Sequence, residues 1–313
     1  MNYSKEYISR LGTETGFISS NIEKVLRLLD VLNYVFNELD SEHQKLVLKV
    51  GTAINLLMTS LSRLSVDIDL DYIGFLEKEK VEIDREEILN RIDSFMIKEG
   101  YSISLKSRES KILTSRTYSY TNAFGNKDNI KVEINFIDRI HIFSDISKTV
   151  TYFNREIELH IPKEEELFAM KICALIDRHK PRDLFDVYML IDCLYFLNKV
   201  NLKRLIIFYL SLDNKFVIND KLYNSLNIIS QSSIMKELQP VLVRGHNFDF
   251  VTAKDKVISF LKELLILDDK EKNYLKEFSK GYYYPNLLFN GKEVDRAYKH
   301  PMAIWRVRKL LKD

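Results

Sequence analysis

Apolar and acidic residues alternate in the segment Val66-Asp67-Ile68-Asp69-Leu70-Asp71. This period of two predicts a β-strand whose apolar side chains face a core while the acidic side chains share the other face. Asp67 and Asp69 are two residues apart, so their carboxylates project together and repel each other unless a cation lies between them. Their hard oxygen atoms suit Mg²⁺ or Mn²⁺, and Asp71 is an alternative ligand on the same face.

A short strand and a helix are predicted just before this segment. Residues 46–50 have the pattern of a strand, Gly51-Thr52 ends it, and a helix follows from about 53 to 61. A glycine at such a turn lets the backbone approach a phosphate closely, and the helix N-terminus offers free N–H groups to it. The Thr52 hydroxyl can add another hydrogen bond.

Glu133 lies in Lys131-Val132-Glu133-Ile134-Asn135, which alternates as the acidic strand does. A third carboxylate here can complete a metal site and act as general base on an acceptor hydroxyl. The alternative interpretation is the solvated face of an ordinary strand, because short acidic motifs often occur without function.

The remaining pattern predicts an α+β protein, with a mixed sheet and flanking helices over residues 1–160 and a mostly helical region over 161–313. The sheet half also contains a predicted helix at 85–98, strands at 101–105, 111–120 and 130–136, and a turn over 122–129. Proline residues open the predicted helices at 165–176 and 182–197 in the second half.

A charged cluster lies at the start of the helical half. Lys171 and Arg178 are seven residues apart and share one helix face, and Lys171 has apolar neighbours. A buried ammonium is costly unless a phosphate or a carboxylate meets it. Asp183 and Asp186 share a face of the next helix, so an internal ion-pair network is the alternative to a phosphate site, and the two can coexist.

Composition restricts the class of protein further. The 313 residues carry a net charge of only +2, with an excess of basic residues over 270–313 that can face a nucleic-acid backbone or simply solvent. Two cysteines, Cys173 and Cys193, are expected to be buried thiols in a reducing compartment. No signal peptide or membrane-spanning run is visible, so a cytoplasmic protein is expected.

Together these motifs resemble those of the AbiEii/MenT family of nucleotidyltransferase toxins. The resemblance implies a polymerase-β-like nucleotidyltransferase core followed by a helical C-terminal region. It also implies a toxin of a type IV-like toxin–antitoxin or abortive phage infection system, with a cognate AbiEi-like antitoxin. The implied acceptor is the 3′ end of tRNA, the substrate an NTP and the cofactor Mg²⁺ or Mn²⁺. The residues that carry the resemblance span nearly the whole chain: Gly51, Thr52, Ser65, Asp67, Asp69, Leu70, Lys131, Glu133, the run from Glu166 to Tyr188, Tyr284, Pro285, His300, Pro301 and Trp305.

The resemblance also implies roles for five residues: Asp67 and Asp69 bind the metal, Thr52 contacts a phosphate, Lys171 binds the NTP phosphates and Asp186 is the acid of the later motif. Taken with the patterns above, this gives the complete predicted site. The metal ligands are Asp67, Asp69 and Glu133; the catalytic residues are these three with Lys171 and Asp186; the nucleotide-binding residues are Gly51, Thr52, Ser65, Lys171, Arg178 and Arg182. The chain departs from the family pattern at Val50, where a first glycine is usual, and at Glu133, where many relatives have Asp.

Two other functions are compatible with the same residues. One is an inactive module of this fold that binds a nucleotide or a protein partner, which Val50 favours. The other is an active transferase that modifies protein hydroxyls instead of RNA. Whichever function holds, a monomer or weak oligomer is expected.

Overall fold

A computed structural model describes residues 2–57, 63–192 and 197–312, which form two compact units. The first unit combines Met1–Arg139, Asp145–Ile161 and Pro240–His246. The second combines Ile140–Ser144, Pro162–Gln239 and Asn247–Asp313. The single boundary expected after residue 160 stays a prediction.

A mixed β-sheet forms the centre of the first unit, as the sequence predicts. Its strands are β1 (Leu46–Leu48), β2 (Ile68–Tyr72), β3 (Ser102–Ile103), β4 (Arg108–Glu109), β5 (Leu113–Thr121) and β6 (Lys127–Asn135). The strand order is β1-β2-β6-β5-β3, and β4 also pairs with β5. β2 runs parallel to β6, whereas the other pairs are antiparallel.

Helices and a separate hairpin complete the first unit. They are α1 (Lys5–Thr15), α2 (Ser19–Tyr34), α3 (Val50–Leu57), α4 (Lys78–Lys98), β7 (Ile146–Tyr152) and β8 (Arg155–Ile161). The hairpin of β7 and β8 was not predicted, although the buried residues Ile157, Leu159 and Ile161 of β8 alternate with polar residues as in a strand. The predicted end of α3 near residue 61 lies outside the described residues.

The two faces of the sheet differ in chemistry. Ile68, Leu70 and Tyr72 of β2 are fully buried on one face. The Tyr72 hydroxyl donates to Asp84 of α4 at 2.5 Å, so this apolar face packs against α4. Asp69 points to the opposite face, which we call the carboxylate face.

The second unit is helical, which confirms the predicted fold class for the C-terminal region. Its helices are α5 (Glu164–Arg178), α6 (Pro181–Ile191), α7 (Lys199–Leu212), α8 (Asp220–Asn224), α9 (Gln231–Ser233), α10 (Phe250–Leu264), α11 (Asp269–Phe278), α12 (Lys292–Lys299) and α13 (Pro301–Leu310). α5 packs against α6 and α7, and α10 packs against α6. Cys173 is a buried free thiol, whereas Cys193 lies outside the described residues. α6 ends at Ile191, before its predicted end at Leu197. None of the described helices has the length and apolar character that crossing a bilayer requires.

Candidate active site

The parallel pairing of β2 with β6 places Asp69 directly beside Glu133. Asp67 lies one residue before β2 begins and is half-buried. Burial, together with the charges of Asp67 and Glu133, raises the pKa of Asp69 to about 6. The structure therefore brings together the three carboxylates that the sequence proposed as metal ligands.

Glu133 has a cation of its own beside it. Lys131 Nζ lies 2.7 Å from Glu133 Oε2, and both side chains are on the carboxylate face. Burial alone would raise the pKa of Glu133, but hydrogen bonds from Lys131 and Ser115 outweigh it and lower the pKa. The sequence offered Lys131 only as part of the family motif, since spacing does not show which acid a lysine meets.

The carboxylate cluster fits a divalent cation by its chemistry. Asp67 and Glu133 both raise the pKa of Asp69 by repulsion of like charge, and a cation bound among the acids would relieve that repulsion. Hard carboxylate oxygens are the ligands that Mg²⁺ and Mn²⁺ prefer. Among residues 2–57, 63–192 and 197–312, however, no group of three or more His, Cys, Asp or Glu side chains is already arranged to hold a metal. Glu133 would have to exchange Lys131 for the cation to serve as a third ligand.

Asp71, the alternative ligand, is engaged elsewhere. Its side chain is 1% exposed, and Lys49 Nζ lies 2.9 Å from its Oδ1. Burial alone would lower the pKa of Lys49, but Asp71, Asp138 and Asp69 together raise it, so the lysine keeps its charge. Asp71 therefore anchors the Lys49 ammonium at the end of β1.

Thr52 is part of a hydrogen-bond relay that holds Asp67. Thr52 Oγ1 lies 2.5 Å from the Asp67 carbonyl oxygen and 2.9 Å from Ser65 Oγ. A hydroxyl has one proton and a carbonyl only accepts, so Thr52 donates to Asp67 and Ser65 donates to Thr52. Both hydroxyl protons are thus used inside the protein, and a phosphate would have to meet backbone N–H groups of α3 instead.

The predicted turn at Gly51 is the first turn of a helix. α3 begins at Val50, whose side chain is buried, so the break between β1 and the helix is at Lys49. Gly51 lies in this first turn, where backbone N–H groups have no intrahelical partner. A Cβ atom built on Gly51 would meet nothing within 4 Å, and its φ is not positive. Neither packing nor backbone geometry requires a glycine there.

The charged cluster of the second unit is a buried ion-pair network. Lys171 Nζ lies 2.9 Å from Asp183 Oδ1 and 2.9 Å from Asp186 Oδ2, and all three side chains are at most 2% exposed. Arg178 Nε donates to Asp183 Oδ2 at 2.7 Å from a half-exposed side chain. Burial alone would raise the pKa of Asp183, but Lys171 and Arg178 lower it to about 2. To meet a phosphate, Lys171 would have to give up one of its carboxylates.

Two other residues of the same motif have structural partners. Arg182 Nε donates to the Glu237 carbonyl oxygen at 2.7 Å. Glu166 is fully buried and accepts hydrogen bonds from the backbone N–H groups of Ile142 and Phe143, each at 2.7 Å. Sequence reasoning gave Glu166 no role, although an acid inside an apolar helix face is itself a signal of a specific partner.

The sequence of this chain matches that of a known protein family. A family model described as nucleotidyl transferase AbiEii toxin, type IV toxin–antitoxin system, matches residues 34–298. The chain belongs to this AbiEii family. This confirms the resemblance found in the sequence and, with it, the nucleotidyltransferase class of enzyme and the assignment as a toxin of the AbiEii/MenT type.

A solved structure supports the fold of this AbiEii-family chain. The nucleotidyltransferase toxin MenT4 from Mycobacterium tuberculosis H37Rv is similar to it with a TM-score of 0.60 and 15% sequence identity. The similarity covers 88% of this chain and 94% of that chain. No curated protein matched the sequence.

Proposed function

We propose that this toxin transfers a nucleoside monophosphate from an NTP to the 3′-terminal hydroxyl of tRNA. The observation that carries the proposal is the pairing of Asp69 with Glu133 across parallel strands, with Asp67 beside them. Acids in this arrangement suit a reaction in which a hydroxyl is deprotonated next to a triphosphate. Addition of a nucleotide to the 3′ end of tRNA would block aminoacylation and therefore translation.

The chain's own residues divide the chemistry among them. Asp67 and Asp69 would hold a divalent cation, which would offset the negative charge that develops on the phosphate. Glu133 accepts the proton of the acceptor hydroxyl, whose oxygen forms a bond to the α-phosphorus while the bond to pyrophosphate breaks. Gly51 leaves the first turn of α3 open, so its N–H groups can meet phosphate oxygens.

The second cluster has a less direct part in the proposal. Lys171, Arg178, Arg182 and Asp186 stay predicted nucleotide-binding and catalytic residues. The structure gives each of the first three a protein partner. We propose that Lys171 first positions Asp183 and Asp186 and meets the triphosphate only after one of these ion pairs breaks.

The biological role follows the family description. A toxin of a type IV toxin–antitoxin system has a cognate antitoxin. We propose that this antitoxin is AbiEi-like and that the pair acts in the cytoplasm in abortive phage infection.

The test is transfer of label from each α-³²P-NTP, with Mg²⁺, to total tRNA and to total protein. Wild type is compared with Asp69→Asn and with Asp128→Asn, a matched change on the opposite face of the same sheet. We expect label on tRNA from one preferred NTP, loss of at least a hundredfold in Asp69→Asn, and wild-type labelling in Asp128→Asn.

The outcomes separate the competing functions. Label on protein alone would replace tRNA by a protein acceptor. NTP binding without labelling of either acceptor would favour the inactive binding module, for which Val50 in place of the usual glycine is the best support. Full labelling by Asp69→Asn would overturn the carboxylate assignment.

A further inference from the structure

Polar side chains extend the carboxylate face sideways from Asp69 and Glu133. The strand register pairs Glu133 with Ser115, and Ser115 with Arg108. Directly paired residues point to the same face, so Arg108 lies in line with the carboxylates. At about 4.8 Å per strand, three strand steps separate Arg108 from Asp69 by roughly 14 Å.

The same face also extends along β6. Lys127, Asn129 and Lys131 follow one another at every second position of β6 and therefore share the face of Glu133. Ser119 of β5 pairs with Asn129 and adds a hydroxyl beside it. Lysine, arginine, serine and asparagine side chains are the groups that proteins commonly direct at phosphate oxygens.

Charged side chains on the two faces of the sheet differ in their partners. On the face against α4, Glu109 lies 3.0 Å from Arg85 and 3.2 Å from Arg116. On the carboxylate face, Arg108 and Lys127 are exposed. Within the part of the chain that the structure describes, neither of these two cations has an ion-pair partner. Arg108 and Lys127 thus add uncompensated positive charge to the face that carries the carboxylates, where Lys131 is already paired with Glu133.

We propose that this row of polar residues holds the sugar-phosphate backbone of the acceptor RNA, so that its terminal hydroxyl reaches Asp69 and Glu133. The row, here called the cationic track, consists of Arg108, Ser119, Lys127, Asn129 and Lys131. The proposal rests on the proposed function and adds the surface that binds the acceptor.

Charge complementarity and continuity with the carboxylates favour RNA as the occupant. A polyanion gains from cations that have no acid partner, and each phosphate contact releases counterions from the nucleic acid. A protein acceptor would be held mainly by apolar and aromatic anchors at the centre of its interface. All five side chains of the cationic track are polar.

The test is binding of unfractionated tRNA, measured by fluorescence anisotropy over a series of salt concentrations at fixed low Mg²⁺ and without NTP. The variant is Arg108→Ala/Lys127→Ala. The control is Lys78→Ala/Lys98→Ala, which removes the same charge from exposed positions on α4, behind the opposite face of the sheet. Thermal unfolding verifies that both proteins fold.

The track variant should bind tRNA more weakly and with a salt dependence shallower by about two, since each lost phosphate contact lowers the slope by about one. The control should keep the wild-type slope. In the labelling assay, the track variant should raise KM for tRNA while KM for the NTP stays unchanged.

Three results would overturn the cationic track: a wild-type slope in the track variant, an equal loss in the α4 control, or no binding of tRNA by the wild-type protein. An equal loss in the α4 control would show that the net charge of the protein, and not this surface, attracts the RNA. The labelling assay judges the proposed function separately. Label on tRNA together with a wild-type slope would retain tRNA as acceptor and remove only the track.

Discussion

Neither the backbone conformation nor the packing of the described residues requires glycine at position 51. The residue is helical, its φ is ordinary and the space where a side chain would extend is open. Alanine is normally preferred to glycine inside a helix by about 1 kcal/mol. A ligand that approaches the backbone is the remaining physical reason for keeping this position bare.

Gly51→Ala should therefore separate stability from function. We expect the melting temperature to stay the same or to rise slightly, while NTP affinity and transfer fall at least tenfold because the methyl group occupies the place of a phosphate. Thermal unfolding and labelling on the same preparation measure both. Unchanged transfer in Gly51→Ala would remove the phosphate-binding role of this turn.

Asp183 should make the stability of the second unit depend on pH. Its pKa is lowered to about 2 because Lys171 and Arg178 outweigh the effect of burial. An acid with a lowered pKa stabilises the fold fully above its unfolded pKa near 4, and this contribution is lost as pH falls towards 2. Removing one partner of a buried ion pair costs about 3 kcal/mol.

We therefore expect Asp183→Asn to lower the free energy of unfolding by about 3 kcal/mol at pH 7 and by much less near pH 2. Urea unfolding at a series of pH values measures the difference. Asp177→Asn, which removes the ion pair between an exposed acid of the neighbouring helix α5 and Lys215, is the control and should change stability by less than about 1 kcal/mol. An equal loss for Asp183→Asn at both pH values would contradict the lowered pKa.

At the scale of elements, α3 matters because it holds the segment that leads into β2. Thr52 connects α3 to the Asp67 carbonyl and receives the hydrogen bond of Ser65. The side chain of Thr52 is 1% exposed, so its hydroxyl is a buried group with both of its partners in the protein. The position of Asp67 thus depends on a residue that sequence alone assigned to the phosphate.

Thr52→Val should lower stability by about 1–2 kcal/mol, because buried polar partners lose their hydrogen bonds. It should also reduce transfer, since Asp67 is no longer held in place. Thr52→Ser keeps the hydroxyl and should restore most of both properties. If Thr52→Val instead weakened NTP binding with no change in thermal unfolding, a direct phosphate contact would be the better explanation.

For the whole molecule, substrate binding should appear as stabilisation. A ligand that binds only the folded state adds about 2.7 kcal/mol when it is present at one hundred times its Kd. We expect the preferred NTP with Mg²⁺ to raise the melting temperature by several degrees, and EDTA or Asp69→Asn to abolish most of this rise. Asp128→Asn should respond as wild type does. The same rise in EDTA would show that the NTP binds without a divalent cation.

Much of the fold and of the site's composition could be predicted from local patterns. The alternation around Asp69 and Glu133 fixed which side chains share a face, because the side-chain period of a strand is two whatever surrounds it. The long motif from Glu166 to Tyr188 indicated the family, which the family model confirms. The helical character of the second half followed in the same way from apolar spacing.

The partners of these residues were decided only by the tertiary structure. Spacing could not show that Lys131 meets Glu133, that Lys171 meets two acids at once, or that Ser65 donates to Thr52 and Thr52 to the Asp67 carbonyl. Most of these contacts join different strands or helices, and a hydrogen bond depends on distances of tenths of an ångström that periodicity does not contain. The sequence by itself determined which residues take part, and the packing of separate elements determined what each of them binds.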